Sequence, residues 1–136
     1  MREFWLAIRG VLMDSYNKKA PDTNDLTVDS PVIPEHEIWR VDHLAGYDAT
    51  TANKRIKLSI LRGVEEVTIQ DKTAGTSDRV VAADNSIWAV PGERLRATIV
   101  SPDESDQCYL ILSGLVFENP TLWEPKKEVT PIPAEA

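Results

Sequence analysis

Apolar and polar residues alternate with a period of two through the middle of the chain, and this pattern constrains the fold more than any other feature. In the clearest example, Ile56, Leu58 and Ile60 alternate with basic or hydroxyl residues. Such alternation is typical of a β-strand with one buried face. Similar short runs lie near residues 38–44, 64–69, 79–82, 87–90, 94–99 and 107–117. The pattern therefore predicts seven strands separated by turns.

No stretch between residues 36 and 118 has the apolar period of a helix. Because parallel strands need long crossover connections that are usually helical, the predicted strands are expected to be antiparallel. The fold class predicted is all-β, an antiparallel β-sandwich of jelly-roll-like form. The side chains expected to face its core are Ile56, Leu58, Ile60, Leu95, Ala97 and Ile99.

Prolines divide the chain into three parts. Seven of the nine prolines lie near the ends, at positions 21, 31, 34, 120, 125, 131 and 133. Proline lacks a backbone N–H donor and favours extended backbone over helix or inner strand. We therefore predict a β-sandwich domain at residues 36–118, an N-terminal helix and extended arm at residues 1–35, and a Pro-rich C-terminal arm at residues 119–136.

The predicted helix runs from Arg2 to Asp14 or slightly beyond. Phe4, Ile8, Val11 and Leu12 have helical spacing. Gly10 in its interior would cost about 1 kcal/mol relative to alanine. The helix would need a surface on which to bury its apolar face, either on the same domain or on a neighbouring subunit.

Charge and cysteine content exclude several classes of protein. The formal net charge is −7, whereas phosphate contacts normally need a clustered basic face, so the sequence disfavours nucleic-acid binding. The single cysteine, Cys108, cannot form an intramolecular disulfide, and no zinc-binding pattern is present. The apolar residues 4–8 are too few to span a membrane, and charged neighbours break the pattern of a signal peptide. The expected location is a reducing cytoplasm or a particle assembled there.

Neither histidine nor cysteine has the neighbours that catalysis requires. Adjacent strand residues point to opposite faces, so Asp42 cannot orient His43, and His43 is expected in the core or at an interface. Acidic residues surround Cys108 and would raise its thiol pKa, which favours a buried structural role. We therefore predict no catalytic residue, no cofactor and no enzymatic activity.

Two acidic turns and one basic strand allow alternative interpretations. Residues 103–106 and 22–25 could supply a few oxygen ligands to calcium, but neither turn matches an EF-hand loop, and solvated turns are the preferred interpretation. Lys54, Arg55, Lys57 and Arg62 could form a stripe for a nucleic acid or an acidic partner, but a solvated outer sheet face explains these positive charges equally well. No metal site is predicted.

Apolar residues in the two arms are the candidate interface. Two of the four tryptophans lie outside the predicted domain, and tryptophan often dominates binding energy at interfaces. The predicted interface residues are Phe4, Trp5, Ile8, Leu12, Leu122 and Trp123. The alternative is that both arms fold back on their own domain.

Four segments together carry a resemblance to a known class of proteins. They are residues 37–44, 56–60, 87–97 and 109–118, with an aromatic first strand, a Pro-Gly-Glu step into a strand, and a long closing strand. In this order they resemble small β-sandwich accessory proteins of tailed-bacteriophage virions. The resemblance implies a capsid cement or decoration protein, or a head-to-tail or tail component. It further implies association with copies of itself as a ring or trimer, and contacts with major capsid or other virion proteins through terminal arms.

The function expected is therefore that of a non-enzymatic structural protein of a phage particle, located in the virion and assembled in the host cytoplasm. The alternative is a β-sandwich of carbohydrate-binding type in which Trp39 or Trp88 is a stacking platform. Exposure distinguishes the two, because a sugar platform must remain in solvent.

Overall fold

The chain forms strands and turns throughout the part that the structure describes, residues 8–77 and 79–119 of a computed structural model. The strands are β1 (Ile8–Lys19), β2 (Leu26–Asp29), β3 (Glu37–Asp48), β4 (Arg55–Arg62), β5 (Glu65–Thr73), β6 (Val80–Ala82), β7 (Ile87–Ala89), β8 (Glu93–Ile99) and β9 (Gln107–Glu118). The seven strands predicted from alternation correspond to β3 to β9. Within these residues there is no helix that could cross a membrane.

The strands form two antiparallel sheets that share one hydrophobic core. The first sheet has the order β1-β9-β3-β6, with β7 also paired to β3, and the second has the order β2-β8-β4-β5. Apolar side chains from both sheets meet in a single cluster, which includes Val41 and Leu110 from the first sheet and Val28 and Leu58 from the second. The all-β prediction with two antiparallel sheets is confirmed.

The predicted core residues on β4 and β8 are all buried. Ile56, Leu58, Leu95, Ala97 and Ile99 have no exposed surface. Ile60 is 4% exposed. Alternation thus identified the inward face of both strands, as expected where one side of a strand packs and the other meets solvent.

The helix predicted for residues 2–14 is wrong over the residues that the structure describes. Ile8–Lys19 is a strand that pairs with β9, from Ile8 opposite Phe117 to Lys19 opposite Gln107. Leu12 is buried while Val11 is exposed, as alternation in a strand requires. Hydrogen bonding to β9 therefore overrides the helical spacing, because local propensity is weak beside tertiary pairing. Residues 2–7 lie outside the described residues.

The N-terminal segment predicted as helix and arm contributes to both sheets. β1 pairs with β9 in the first sheet, and β2 pairs with β8 in the second. Ile33 follows them with 1% exposure, and its N–H donates to the Glu93 carbonyl at 2.9 Å. The C-terminal arm predicted at 119–136 lies outside the described residues except for Asn119.

A β-bulge in β3 excludes the core, one of the two places predicted for His43. Val41 is opposite Gly114 and His43 is opposite Ser113, so Asp42 is an extra residue on this strand. An inserted residue exchanges the faces that follow it. Trp39 and Val41 are buried, but beyond the bulge Leu44 is buried and His43 is exposed. His43 is therefore not a core residue.

Gly114 allows β9 to approach β3 at this bulge. A Cβ atom at position 114 would lie 1.9 Å from the Arg40 carbonyl oxygen and 3.0 Å from the Asp42 nitrogen. Both atoms belong to the backbone, so neither can rotate away. A side chain here would force the two strands apart.

We expect Gly114→Ala to lower the free energy of unfolding by about 1–3 kcal/mol or more, the usual cost of overpacking a well-packed interior. Gly10→Ala is the matched control, because a Cβ at this other strand glycine meets nothing within 4 Å. Urea unfolding of both variants measures the difference. Equal stability of the two variants would contradict the close approach at Gly114.

Candidate interaction surface

The outer face of the second sheet is covered with ion pairs. Arg96 Nε lies 2.7 Å from Asp29 Oδ1, and Arg55 binds Asp71 through two nitrogens at 2.7 and 2.8 Å. The hydrogen bond from Arg55 holds the pKa of Asp71 below its ordinary value. The Ser59 hydroxyl, followed by the Lys57 ammonium, lowers the pKa of Glu66. The charges of this face thus have partners within the same sheet.

The basic residues proposed as a stripe are all paired. Lys54 contacts Asp103, Arg55 contacts Asp71, Lys57 contacts Glu66 and Arg62 contacts Glu93. Surface pairs of this kind contribute little to stability, but they compensate charge. The solvated-face interpretation of these residues fits this arrangement.

The outer face of the first sheet instead exposes several large apolar side chains, which lie among polar residues such as Arg40 and His43. Val11 is opposite Leu115, which is opposite Arg40, and Arg40 is opposite Trp88. Directly opposed residues project from the same side of a sheet. The exposed large apolar residues on this side are Ile8 (63%), Val11 (73%), Met13 (76%), Trp88 (49%) and Ile111 (39%). We call these five residues the apolar outer face.

Trp88 belongs to an aromatic cluster at one end of this face. Its ring centroid lies 5.5 Å from that of Phe117, and the Arg40 guanidinium carbon lies 5.9 Å from the same Phe117 centroid. Arg40 also binds Asp42, which accepts a further hydrogen bond from Ser86 at 3.0 Å. The Arg40 hydrogen bond lowers the pKa of Asp42. Trp88 is thus held at the surface by packing against Phe117.

Trp39 lies on the opposite side of the first sheet. It is 6% exposed within the core, and its Nε1–H donates to Glu37 Oε1 at 2.9 Å. Because Trp39 is buried, it cannot be a stacking platform for a sugar. Trp88 is exposed and is the tryptophan that could have this role.

The predicted interface residues are separated by the structure. Ile8 lies on the apolar outer face, but Leu12 is 3% exposed and belongs to the core. Phe4, Trp5, Leu122 and Trp123 lie outside the described residues. Sequence reasoning did not assign Val11, Met13, Trp88 or Ile111 to an interface. The alternation of Val11 and Met13 with Leu12 is the signal that could have identified two of them.

A pair of buried carboxyl groups lies at one end of the sandwich, where the loops after β3 and before β9 meet. Asp48 is fully buried and Asp106 is 1% exposed. Asp48 Oδ1 accepts hydrogen bonds from the N–H groups of Thr50 and Thr51, both at 3.0 Å. Asp106 accepts from the Thr51 hydroxyl at 2.8 Å and from the Asp103 N–H at 2.9 Å. Together the carboxyl groups connect the two loops.

Asp48 Oδ2 is buried without a hydrogen-bond partner among the described residues, and a proton shared with Asp106 would satisfy it. Burial, followed by the contact with Asp106, raises the pKa of Asp48. Burial alone would raise the pKa of Asp106 too, but hydrogen bonds from Asp48, Thr51 and the Asp103 N–H lower it. Of the two carboxyl groups, Asp48 therefore holds its proton to the higher pH, which makes it the donor when the pair shares one proton.

The acidic turns considered for calcium make hydrogen bonds within the protein. Asp22 accepts from the Asn24 N–H at 2.9 Å, and Asp25 accepts from the Ser101 N–H at 2.9 Å. Asp103 binds Lys54 Nζ at 3.0 Å. Over residues 8–77 and 79–119 no group of three or more acidic, histidine or cysteine residues could hold a metal ion.

Cys108 lies beside the carboxyl pair and is fully buried. Burial, with Asp48 and Asp106 nearby, raises the pKa of its thiol to about 12. A nucleophilic cysteine needs the opposite shift. The prediction of a buried cysteine in an acidic environment is confirmed.

Several solved structures are distantly similar to this chain. No protein-family model and no curated protein matches the sequence. The Drosophila NLP core, a protein studied for pentamer formation and histone binding, is 11% identical, with a TM-score of 0.39 over 79% of this chain and 98% of its own. The module TmCBM61, solved with β-1,4-galactotriose, is 12% identical, with a TM-score of 0.43 over 84% of this chain and 88% of its own.

A chain from the structure of nora virus is also similar. It is 12% identical, with a TM-score of 0.40, and the match covers 87% of this chain and 61% of the viral one. The neighbours thus include both viral proteins and carbohydrate-binding modules. Similarity at this level does not distinguish between the two functions.

The carboxyl pair generates a prediction about pH. The pKa of Asp48 is raised in the folded state from 3.8, so the folded protein binds more protons there than the unfolded chain. The contribution of Asp48 to stability is complete below pH 3.8, and it is lost as the pH rises through the pKa of Asp48 in the folded state. Asp106 has a lowered pKa and behaves oppositely, because its contribution is lost as the pH falls through its folded pKa. The two groups titrate as a pair.

We expect Asp48→Asn to keep the donor to Asp106 without a titrating proton. Its free energy of unfolding should match the parent in mild acid and exceed it at neutral pH. Asp106→Asn should instead lose about 1–3 kcal/mol, because its amide cannot accept from both Thr51 and the Asp103 N–H. Urea unfolding across a pH series measures both. A parallel pH dependence of the parent and Asp48→Asn would refute the shared proton.

Proposed function

We propose that this protein is a non-enzymatic structural protein of a virus particle, in particular of a tailed phage, and that it binds neighbouring subunits through its apolar outer face. The observation that carries the proposal is the contrast between its two outer faces. One face compensates its own charges, as with Arg96 and Asp29. The other exposes apolar side chains such as Val11 and Met13. Several large apolar side chains exposed on one face of a sheet are typical of an interaction site.

Burial of this face would supply the binding energy. Removing apolar surface from water contributes about 25 cal/mol per Å². Aromatic residues held in place by packing often dominate interfaces, because few rotamers are lost on binding. Trp88, which packs against Phe117 beside Arg40, is such an anchor. Val11, Met13 and Ile111 would surround it with apolar area.

The order of the strands supports a jelly roll. The strands nearest the two ends, β1 and β9, are neighbours, and successive strands alternate between the two sheets from β1 to β4. Jelly rolls occur in viral capsid proteins and in lectin domains. Because a fold hosts many functions, this topology is compatible with the proposal without selecting it.

The partners proposed are copies of this chain and the major capsid or other proteins of the virion. The ring or trimer expected from the resemblance stays a prediction, as do the interface roles of Phe4, Trp5, Leu122 and Trp123. A closed assembly would multiply weak contacts, since each subunit makes several at once. The proposal that the protein is not an enzyme is supported by the protonated state of Cys108 and by the engagement of Asp42 with Arg40 instead of His43.

The test is to purify particles from the source and measure whether the chain is a stoichiometric component, by mass spectrometry and particle reconstruction. We expect Ile111→Glu to reduce attachment to particles lacking the protein by at least about tenfold, because it places a charge within the apolar outer face. Val64→Glu is the control, since Val64 is fully exposed but lies in the turn between β4 and β5. Absence of the chain from particles, or equal attachment of both variants, would overturn the proposal.

Carbohydrate binding remains a second candidate because Trp88 is half-exposed and packed against Phe117. If Trp88 is a sugar platform, oligosaccharides should change its fluorescence, and Trp88→Ala should abolish binding while leaving the thermal unfolding midpoint near that of the parent. Calorimetric titration with galactans, glucans and xylans measures this. Absence of binding across the panel would remove this candidate.

A further inference from the structure

We propose that the edge strand β1 pairs antiparallel with β1 of a second copy, about a two-fold axis at Leu12, so that two first sheets become one continuous sheet. This goes beyond the proposed function, since such a pair can form in solution without a particle.

The available edge of β1 motivates the proposal. β1 is twelve residues long and lies at the end of the order β1-β9-β3-β6, and no other described strand pairs with it. Proteins usually protect an edge by making it short, by proline, by charged residues or by a β-bulge. β1 contains no proline, and its charged residues and its bulge lie outside residues 10–13. Such an edge presents unpaired N–H and C=O groups to another strand.

Side-chain pairing selects the register. With Leu12 on the axis, Val11 of one copy is opposite Met13 of the second copy, and Met13 is opposite Val11. These two residues are 73% and 76% exposed in one copy. Directly opposed side chains in an antiparallel pair contact each other. The pairing therefore covers the two most exposed residues of the apolar outer face with each other.

The like charges of β1 are kept apart in this register. Gly10 of the second copy is opposite Asp14, so that no second carboxylate faces this one. Lys18 and Lys19 of the two copies lie at opposite ends of the paired strands. A register centred on Asp14 would place the two Asp14 carboxylates opposite each other, and parallel pairing would align the lysines. Opposed like charges destabilise a strand pair.

Two-fold pairing is self-complementary and closes after two copies. It doubles the first sheet and places the two apolar outer faces side by side. A ring or trimer would need a second, different contact. The remaining parts of the face, Trp88 and Ile111, stay available for that contact.

Sedimentation analysis of the full chain is the first test. The parent should form dimers, and Met13→Glu should weaken dimerisation by at least about tenfold, because the two glutamates lie close to the axis and bury charge. Val64→Glu is the control, since Val64 is fully exposed but lies in the turn between β4 and β5 of the second sheet. It should dimerise like the parent. A monomeric parent, or equal weakening by both variants, would overturn edge pairing.

Cysteine cross-linking tests the register. Opposed residues have Cα atoms about 4.5–5.5 Å apart, within disulfide range, whereas diagonal residues are about 7–8 Å apart. A mixture of Val11→Cys and Met13→Cys proteins should therefore cross-link on oxidation, and neither protein should do so alone. Cys108 does not compete because it is fully buried. Cross-linking of Val11→Cys with itself would refute this register.

The outcomes distinguish the two proposals. A monomeric protein that is nevertheless a component of particles would end this inference and leave the proposed function intact. A dimer with the expected cross-links that is absent from particles would do the reverse.

Discussion

The pairing of β9 with both β1 and β3 is the interaction on which the first sheet depends. β9 lies between these strands and is paired along its length with each, so Leu115 is opposite Val11 on one side and Arg40 on the other. Gly114 permits the approach to the bulge in β3. β9 lies between the edge strand β1 and β3, and β3 in turn pairs with β7, which contains Trp88. The position of β9 therefore determines how far apart the exposed apolar residues of these strands lie.

Local pattern predicted the strands well where one periodicity dominates. Ile56, Leu58 and Ile60 alternate without exception, and β4 formed as expected. In residues 8–14 the spacing fits both a helix and a strand, and only pairing with β9, about a hundred residues later, decides between them. The exposure of His43 could not be predicted because one inserted residue, Asp42, changes the side on which all later residues of β3 lie.

The sequence predicted the residues of the apolar outer face less well than it predicted the fold. Trp39 and Trp88 both lie in short apolar runs, and their different environments arise from their positions in β3 and β7. Alternation shows that a strand has two faces, but it does not identify the buried one when both carry apolar residues. Asp48 and Asp106 lie far apart in the sequence. They meet because the register of β3 and β9 places Asp48 opposite Cys108, two residues after Asp106.

Electrostatics explains why the apolar outer face is the part of this acidic protein best suited to approach a neighbour. A net charge of −7 makes copies repel one another. At physiological ionic strength this repulsion is screened beyond about 8 Å, whereas apolar contact acts only once surfaces touch. The nearest charges to the face include Arg40 and Asp42, which neutralise each other. Contact through this face therefore buries apolar area beside a compensated pair of charges, while the ion pairs on the outer face of the second sheet stay in water.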